Sequence, residues 1–568
     1  MYQKSHMTGL APTQPMDRNT STRPVSHLQT VRRDDLACVT SMLGGEFLPI
    51  AMVPLLREDR ALNSTVTLNF QMSETSDMLL NAVRATASAW LVPKMAFERY
   101  SGYDSINRSY NGQPEIDDLI IPWFQPWDPA GKAIIEKMGL HFPDGSMANS
   151  DYVEAYNAVW NHIAKNMSKD IELRDSFDGT LAPGFWEHSQ MKHVKSTFDD
   201  AMMEGQIGVE FEQTDLPVRG LGVTSPMTSL PTNIGDHLDT AGDGADRPYF
   251  GSRIRGTTPG DGENMFAVEF NSTTGLPAVF AELKSEGLQI SLANIDLARE
   301  TAAWARLRTR YQGLDEDWMM DQLLSGIAMP EEAMKQPILL DKKSVPFGMM
   351  QRYATDGASL DQSATNGATS MQLRVRTPAV NTGGIIVICA QSAPEMVYER
   401  QRDYYFMADS VDKLPNRTAD ELDPQPVVEV FNVEVDEIHT LPGEVFGYAP
   451  LNHEWMRNKP KVGGKYYRSD PTGPWDEDRN RIWDTTTVDP QLGEDFYLTS
   501  NIRHDVFMDQ TDDHFEVWAS GSISIQGLTH FGPMLRESTD DYEKVQAQVD
   551  MTRLSPASET PAIVQDDS

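Results

Sequence analysis

The sequence predicts a mainly β protein, built as one antiparallel sandwich whose connections carry long insertions. Stretches in which apolar and polar residues alternate lie toward both ends of the chain, and each is typical of a strand with one buried face. Helical spacing of apolar residues occurs only in the central part, between those strands. The chain of 568 residues also contains 35 Pro and 39 Gly without any period, which indicates many turns rather than a repeat structure.

The first 35 residues are predicted to form a flexible arm. They are polar and rich in Ser, Thr, Gln and Pro, and such a composition does not favour a packed core. Arg32 and Arg33 make the end of this arm basic. The arm is interpreted either as a solvated tail or as a basic segment that contacts nucleic acid.

The segment that follows, residues 36–100, alternates like strands. In Thr65–Met72 every second residue is apolar, so one face of this strand is expected to be buried. Pro49 and Pro54 are expected to mark strand ends, because proline cannot donate a hydrogen bond to a sheet.

Two helical segments and one long loop are predicted in the middle of the chain. Apolar residues recur at three- and four-residue spacing over 150–166, with Ser150 as the expected N-cap. A second helical excursion is expected over 285–330. Residues 225–275 are rich in Gly, Asp, Thr and Pro and show no periodicity, which predicts a variable surface loop.

Strand patterns return in the last third of the chain. Gly383–Ala390 is almost wholly apolar and is predicted to be buried on both faces. Val427–Val435 alternates, and Phe515–Ile525 is predicted to be the closing strand. The β domain with its insertions is therefore expected to span 36–535, followed by a polar, acidic tail over 536–568.

The charge excludes one class of function. The net charge is −36, from 48 basic and 84 acidic residues, whereas a protein that binds nucleic acid along its whole surface is basic. Any contact with nucleic acid therefore needs local basic patches or a separate basic partner. Cys38 and Cys389 are too few for a disulfide scaffold; one bridge is possible, but two buried free thiols are expected. The sequence has neither a membrane-length apolar run nor a signal-peptide core, so a soluble cytoplasmic product is expected.

The chain shows no pattern of an enzyme. His188 and His193 are five residues apart, whereas a zinc-binding pair on a helix needs a spacing of four. An acidic, Gly-rich cluster consists of Asp236, Asp239, Asp243 and Asp246. It lacks the spacing of a calcium loop, so a solvated loop is preferred and a structural Ca²⁺ ion is the one cofactor left open. No catalytic residue, and no other cofactor or metal site, is expected.

One stretch, Leu441–Arg468, carries a more specific pattern. The pattern consists of Val445-Phe446-Gly447-Tyr448, Trp455, Arg457, Lys459-Pro460, Gly464 and Tyr467-Arg468-Ser469. It resembles the C-terminal part of the major capsid protein of the Microviridae, small icosahedral single-stranded DNA phages, in the gokushovirus-like branch. Shorter blocks that resemble the same family occur in the same order at Gly45–Ile50, Val83–Lys94, Ala155–Asn161, Asp215–Gly220 and Ile290–Arg299. The second block departs from the family, which has two histidines where this chain has Thr86 and Ala87.

The resemblance implies a fold, a function and a set of partners. The fold is the eight-stranded antiparallel viral jelly roll with long loop and helix insertions. The function is self-assembly, through pentamers, into a T=1 icosahedral shell around circular single-stranded DNA. The implied partners are copies of the chain, the packaged DNA, small basic DNA-binding or pilot proteins, and a receptor on the host cell surface. The location would be the virion, assembled in the cytoplasm of a bacterial host.

Residue types within these blocks give the candidate sites. Subunit contacts are expected at Phe446, Tyr448 and Trp455, because aromatic residues are enriched at interfaces. The DNA-facing candidates are Arg32, Arg33, Arg457, Lys459, Lys461, Lys465, Tyr467 and Arg468, because basic groups beside aromatic rings suit phosphates and stacked bases. For the C-terminal members of that set, a subunit interface is the preferred alternative. In the 225–275 loop, the counterpart of a projecting family insertion, the candidates for the receptor are Asp236, Asp243, Tyr249 and Arg253.

Two other classes of protein share the acidic, aromatic, β-rich composition. A jelly-roll lectin or glycan-active enzyme would be a monomer or small oligomer with a defined sugar pocket. A phage spike protein would favour trimers.

Overall fold

The computed structural model describes most of the β-rich part of the chain. The described residues are 27–75, 77–113, 132–141, 146–187, 335–353, 363–395, 399–421, 427–456, 460–468 and 479–535, with six short strands between 123 and 281 and a few positions in 191–198 and 300–327. Two compact units are formed. Unit 1 comprises Met1–Ser196, Met329–Ala419 and Val427–Ser568, and unit 2 comprises Thr197–Ala328 and Asp420–Pro426. The protein is mainly β, and its sheets are antiparallel.

The elements are numbered in chain order. The strands are β1 (Thr30–Met42), β2 (Glu46–Leu55), β3 (Arg60–Ala61), β4 (Ser64–Thr75), β5 (Val83–Pro93), β6 (Trp123–Phe124), β7 (Ala148–Asn149), β8 (Ala182–Pro183), β9 (Val218–Arg219), β10 (Leu221–Thr224), β11 (Tyr249–Ile254), β12 (Asn264–Glu269), β13 (Phe280–Ala281), β14 (Ile338–Pro346), β15 (Gly348–Tyr353), β16 (Ser363–Val375), β17 (Gly384–Pro394), β18 (Val427–Phe431), β19 (Val445–Pro450) and β20 (Phe515–Gly527). The α-helices are α1 (Tyr103–Tyr110), α2 (Ala133–Lys137), α3 (Asp151–Met167), α4 (Arg417–Glu421), α5 (Asn432–Val435) and α6 (Glu494–Tyr497). Short 3₁₀ helices span Lys94–Ala96, Val411–Lys413, His453–Met456, Gly464–Tyr466, Arg479–Arg481 and Thr499–Asn501.

The first large sheet of unit 1 has the order β1-β20-β4-β16-β15, and β3 also pairs with β20. The first strand of the chain therefore lies beside the last one, with Thr30 opposite Gly527 and Met42 opposite Phe515. The apolar face predicted for Thr65–Met72 is confirmed, because its alternate residues in β4 are at most 1% exposed.

The second large sheet has the order β14-β5-β17-β2-β8. β17 lies between β5 and β2, and all of its residues except Ala393 are buried. The prediction of a strand buried on both faces is thereby confirmed. Aromatic rings fill the core, and Phe347 lies between Phe70, at 6.4 Å, and Phe515, at 5.4 Å between ring centroids.

Helix α3 packs against the second sheet, close to the predicted range of 150–166. Ser150 does not cap it through its side chain: its backbone is helical, and its hydroxyl donates a hydrogen bond to the carboxylate of Glu154 at 2.6 Å. Arg99 reaches the same carboxylate at 2.6 Å and that of Asp151 at 2.7 Å. The first turn of α3 is thus held by a buried ion-pair network rather than by the predicted cap.

Unit 2 contains two small antiparallel sheets. β10, β12 and β11 form one, and β9 with β13 forms the other. β11 and β12 lie inside the 225–275 segment, so the expectation of a loop without regular structure is wrong for these residues. Neither strand alternates: Tyr249–Ile254 begins with two adjacent aromatic residues, and Asn264–Glu269 has four apolar residues in a row, so no two-residue period marks them.

Two predicted boundaries near the N-terminus are wrong. β1 begins at Thr30, so the last residues of the predicted arm over 1–35 are strand, and residues 1–26 lie outside the described part. Pro49 lies in the interior of β2 rather than near its end, whereas Pro54 is the second-last residue of the strand, near its end as expected. The structure can accommodate them because β8 pairs only with the first two residues of β2, which leaves the outer edge of the rest without a β8 partner.

The predicted strand over Val427–Val435 is also too long. β18 ends at Phe431, and α5 follows. The amide of Asn432 donates a hydrogen bond to the carbonyl of Leu441 at 2.9 Å, which stabilises the turn into the helix. The alternation places Val427, Glu429 and Phe431 on one face of β18, but the buried residue of the strand is Val430, on the opposite face.

The remaining expectations concern the two cysteines, the helical excursion and the C-terminal tail. Cys38 and Cys389 are free thiols, as expected, but only Cys389 is buried and Cys38 is half-buried. Most of the predicted helical excursion over 285–330 and all of the tail over 536–568 lie outside the described residues.

The inward face of β4 gives a stability prediction. Leu68 is fully buried between Met371 and Ala519 on the neighbouring strands. Leu68→Ala should lower the free energy of unfolding by about 2–5 kcal/mol, because lost apolar burial and a residual cavity add together. Urea unfolding measures this, and the exposed Gln71 of the same strand supplies the control, since Gln71→Ala should change stability by less than about 0.5 kcal/mol. Equal effects at the two positions would contradict this assignment of the buried face.

Candidate functional site

The connection between β17 and β20 carries most of the candidate residues. Its central feature is the hairpin of β18 and β19, in which Val427 lies opposite Pro450. A turn at Pro442 and Gly443 precedes β19, where the N–H of Glu444 donates a hydrogen bond to the carbonyl of Leu441 at 3.3 Å. The Val445–Tyr448 motif is therefore a strand of this hairpin.

Two of the three residues expected at subunit contacts, Phe446 and Tyr448, are buried or half-buried within their own chain. Phe446 is only 6% exposed, and its ring meets that of Phe496 edge-on at 5.4 Å. It is a core residue, so the expectation that it contacts another subunit is wrong. Tyr448 is half-buried, and its backbone exchanges hydrogen bonds with that of Lys195 at 2.8 and 2.9 Å.

Gly447, between these two aromatics, is required by close packing. A Cβ at this position would lie 2.6 Å from Cδ1 of Leu492 and 2.9 Å from the carbonyl oxygen of Lys195. The motif therefore fixes how the hairpin packs on its own chain, a role that its resemblance to a capsid block did not indicate.

Trp455 lies in an exposed aromatic surface, defined as Trp455, the two rings that it meets, Tyr404 and Tyr405, and their chain neighbours Phe406 and Met456. The Trp455 ring lies 4.7 Å from Tyr404 and 6.3 Å from Tyr405. Exposure is 42% for Trp455, 67% for Tyr405, 88% for Phe406 and 69% for Met456. Clustered apolar side chains left in water at this level are typical of a surface that another molecule covers.

The N-terminal arginines are held by acids of their own chain. Nη1 of Arg32 lies 2.7 Å from the fully buried carboxylate of Asp59, and Nη2 donates to the carbonyl of Pro54 at 3.0 Å. Arg33 pairs with the exposed Asp35 at 2.7 Å. Arg32 therefore neutralises a buried charge, a role that leaves less of its own charge for a phosphate.

The described C-terminal basic candidates each contact different groups of the chain and do not form one basic patch. Lys461 pairs with Asp403 at 3.0 Å, which ties its segment to the one that carries the aromatic surface. Lys465 lies over the ring of Tyr466 at 5.1 Å, and Tyr467 is 71% exposed. Arg468 lines a cavity, described next. Arg457 and Lys459 lie outside the described residues.

That cavity, of about 420 Å³, is lined by charges of both signs in equal number. They are Arg400, Arg468, Arg479, Arg503, Glu399, Asp436, Asp484 and Asp505. Arg479 holds Glu399 through two nitrogens at 2.7 and 3.3 Å, and Arg503 holds Asp505 through two at 2.8 Å. Paired charges of this kind favour a structural role over the binding of a free anion.

Two histidines lie beside the closing strand. His514 is 1% exposed, and its ring stacks on Phe507 at 3.9 Å and lies 5.0 Å from that of His504. Burial, and secondarily the charge of His504, lower the pKa of His514 to about 4. His514 is therefore neutral at physiological pH and behaves as a core aromatic residue.

Among the described residues, one group of side chains could hold a metal ion, and no sequence motif marks it. Glu434, His453 and Glu454 place one ligand atom each within 4.8 Å of one another. Glu434 lies in α5, whereas His453 and Glu454 are the first two residues of the 3₁₀ turn after β19, so the three have no motif spacing. Of the Ca²⁺ candidates, Asp236 and Asp243 lie outside the described residues, as does the rest of that acidic cluster. Tyr249 and Arg253, expected to face a receptor, lie in β11 of unit 2.

Comparison with known proteins adds no identification. No protein-family model matches the chain, and no curated protein matches it either. Within the described residues, no helix is both long and apolar enough to cross a membrane.

The close packing around Gly447 gives a prediction. Gly447→Ala should destabilise the chain by about 1–3 kcal/mol, because the new Cβ meets the Lys195 backbone, which cannot rotate away. Gly443 of the same hairpin offers a matched control, since a Cβ there meets nothing within 4 Å. Denaturant unfolding compares the two variants, and an unaltered midpoint for Gly447→Ala would refute the packing argument.

The buried His514 gives a second prediction, of pH-dependent stability. The unfolded chain binds a proton at this residue near its ordinary pKa of about 6.5, whereas the folded chain does so near 4. The unfolded state thus binds more protons between these values, and stability should fall by on the order of 2 to 3 kcal/mol as the pH drops through this window.

Urea unfolding from pH 7.5 to pH 4 measures this dependence. His514→Phe, which keeps a ring against Phe507, should flatten the curve, whereas the same change at the exposed His530 should leave it as in the unaltered chain. Parallel curves for the unaltered chain and His514→Phe would rule out the titration of this residue as the cause.

Proposed function

We propose that this chain is a viral major capsid protein with a jelly-roll fold, which assembles into a T=1 icosahedral shell around circular single-stranded DNA. The proposal combines the resemblance to gokushovirus-like capsid proteins with two features of unit 1: the order of its strands and its exposed aromatic surface.

The strand order supports the jelly roll. In the part of the chain that the structure describes, the eight longest strands are β1, β2, β4, β5, β14, β16, β17 and β20. Numbered one to eight along the chain, the first pairs with the eighth, the second with the seventh, the third with the sixth and the fourth with the fifth. Two additional pairs complete the sheets. The third strand also pairs with the eighth, in the first sheet, and the fourth strand also pairs with the seventh, in the second sheet. A long antiparallel ribbon rolled up in this way has the strand order of a jelly roll.

The fold alone does not select a function, since both capsid proteins and lectins use the jelly roll. The observation that carries the capsid proposal is the aromatic surface around Trp455. An isolated subunit that left Tyr405, Phe406 and Met456 more than half exposed would carry a large cost in hydration. Covering this surface with a copy of the same chain removes that cost and supplies a shell contact.

The charge distribution decides how DNA would be held. The chain carries a net charge of −36, and described candidates such as Arg32 and Lys461 are already paired with acids. Most of the phosphate charge would then be neutralised by small basic DNA-binding or pilot proteins. The proposed site of host attachment is unit 2, which carries Tyr249 and Arg253, and the proposed location is the virion, assembled in the bacterial cytoplasm.

The aromatic surface yields the test. Expressed alone or with basic phage partners, and with and without circular single-stranded DNA, the chain should give pentamers or closed isometric particles in size-exclusion chromatography and negative-stain electron microscopy. Trp455→Ala and Phe406→Ala should each weaken assembly by about 2 kcal/mol or more per contact, because truncated central aromatics dominate interface energies. Particle yield would then be lost while the subunit stays folded.

Trp518 provides the matched control. It is 39% exposed, close to the 42% of Trp455, but lies on the outer face of β20. Trp518→Ala should leave assembly unchanged, and circular dichroism should show folded chains for all three variants. Particle yields that do not change on truncating Trp455 and Phe406 would remove the assigned contact, and a stable monomer with every partner present would remove the capsid proposal itself.

A second candidate function, glycan binding, is favoured by a different observation. A cavity of about 300 Å³ beside α3 is lined by Trp90, Phe185 and Trp186 together with polar side chains such as Ser88 and Gln391. Aromatic faces beside hydrogen-bonding groups suit a sugar ring. If the chain remains a monomer, a glycan-binding screen with Trp90→Ala as its negative control would test this alternative.

A further inference from the structure

Three side chains beside the β18–β19 hairpin form a cluster that the proposed function does not use. A carboxylate oxygen of Glu434, a ring nitrogen of His453 and a carboxylate oxygen of Glu454 all lie within 4.8 Å of one another. His453 is only 3% exposed, and both glutamates are half-buried.

Local structure brings these groups together from opposite sides of the hairpin. Glu434 lies in α5, and one of its oxygens accepts a hydrogen bond from the N–H of Phe431 at 3.2 Å, which orients the carboxylate. After β19 ends at Pro450, Asn452 adopts a φ of 60°, in the left-handed region that asparagine tolerates better than most residues. The chain then enters the 3₁₀ turn of His453–Met456, which presents its first two side chains to Glu434.

The charges of this cluster favour a cation. Two carboxylates this close repel each other, and a half-buried position weakens the screening by water. A neutral imidazole nitrogen with carboxylate oxygens is a ligand set that suits Zn²⁺, whereas Ca²⁺ takes six to eight oxygen ligands. A zinc ion with bonds of about 2.1 Å separates its ligands by about 3.4 Å, so modest side-chain rotation brings this cluster to binding geometry.

We propose that Glu434, His453 and Glu454 bind one divalent transition-metal ion, with Zn²⁺ the best-suited ion and water in the fourth position. The bound ion fastens the His453–Met456 turn to α5 and so stabilises the hairpin region of the folded chain. This metal site does not depend on the proposed function. Where that function also holds, the ion orients Trp455, the next residue after two of its ligands, within the aromatic surface.

The test uses the full chain after removal of metals with a chelator. Titration calorimetry with ZnCl₂ should show one tight site per chain, and ZnCl₂ should raise the melting temperature, because a ligand that binds the folded state stabilises it. A tenfold excess of CaCl₂ should not displace the zinc. Glu434→Gln and Glu454→Gln each replace a carboxylate with an amide of the same shape, and each should weaken zinc binding by about tenfold or more.

Glu429→Gln supplies the control, since Glu429 is an exposed residue of the same hairpin outside the cluster. It should keep both the tight site and the shift in melting temperature. The proposal is overturned if the unaltered chain shows no tight site, or if the variants at 434 and 454 bind zinc as the Glu429 variant does, which would make the binding one of many carboxylate sites. Zinc binding by a chain that stays a monomer with every partner present would refute the capsid function alone, and particles without zinc binding would refute this site alone.

Discussion

The pairing of the last strand with the first is the constraint on which the rest of unit 1 depends. β20 lies between β1 and β4, and its residues donate and accept hydrogen bonds on both sides. The hydroxyl of Thr30 and the carbonyl of Gly527, which meet in this pair, are separated by 497 positions in the sequence. The first sheet therefore cannot close until nearly the whole chain is present, and its formation is expected to be slow because its contacts are non-local. The long connections can be inserted at modest cost, because the entropy of closing a loop rises only slowly with its length.

The sequence predicts an element well when one or both of its faces are buried against a large neighbouring element. β4, β17, β20 and α3 were predictable, because each buries one face or both against a large neighbour and the composition of the strand or helix must reflect that. β18 was predicted too long, because Val433 and Val435 continue its alternation in a helical turn that burial alone does not distinguish. The burial of Phe446 was also not predictable, because the resemblance of its segment to a capsid block does not indicate whether the ring contacts Phe496 or another subunit.

The candidate sites were less predictable than the fold, because they arise between segments. The aromatic surface joins residues 404–406 to 455–456, and the sequence marks only Trp455 as unusual. The metal cluster needs the reversal at Asn452 before Glu434 and His453 can meet, and no spacing rule covers such a pair. The basic candidates were recognised as a dense group, but their partners were not. Asp59 and Asp403, which neutralise Arg32 and Lys461, lie far from them in sequence.

This pairing of arginines with buried or half-buried acids has a consequence for association. Cations such as Arg99 and Arg479 are used inside the fold, while a net charge of −36 must be carried by one chain. Two copies that approach through an apolar surface therefore repel each other over distances comparable with the Debye length, about 8 Å at physiological ionic strength. Since salt screens this repulsion but does not weaken the burial of aromatic side chains, salt should strengthen contacts between copies and weaken contacts with a basic partner. Under the proposed capsid function, apolar contact would join copies of the chain and charge would hold basic DNA-binding partners, with the ionic strength setting the balance between the two.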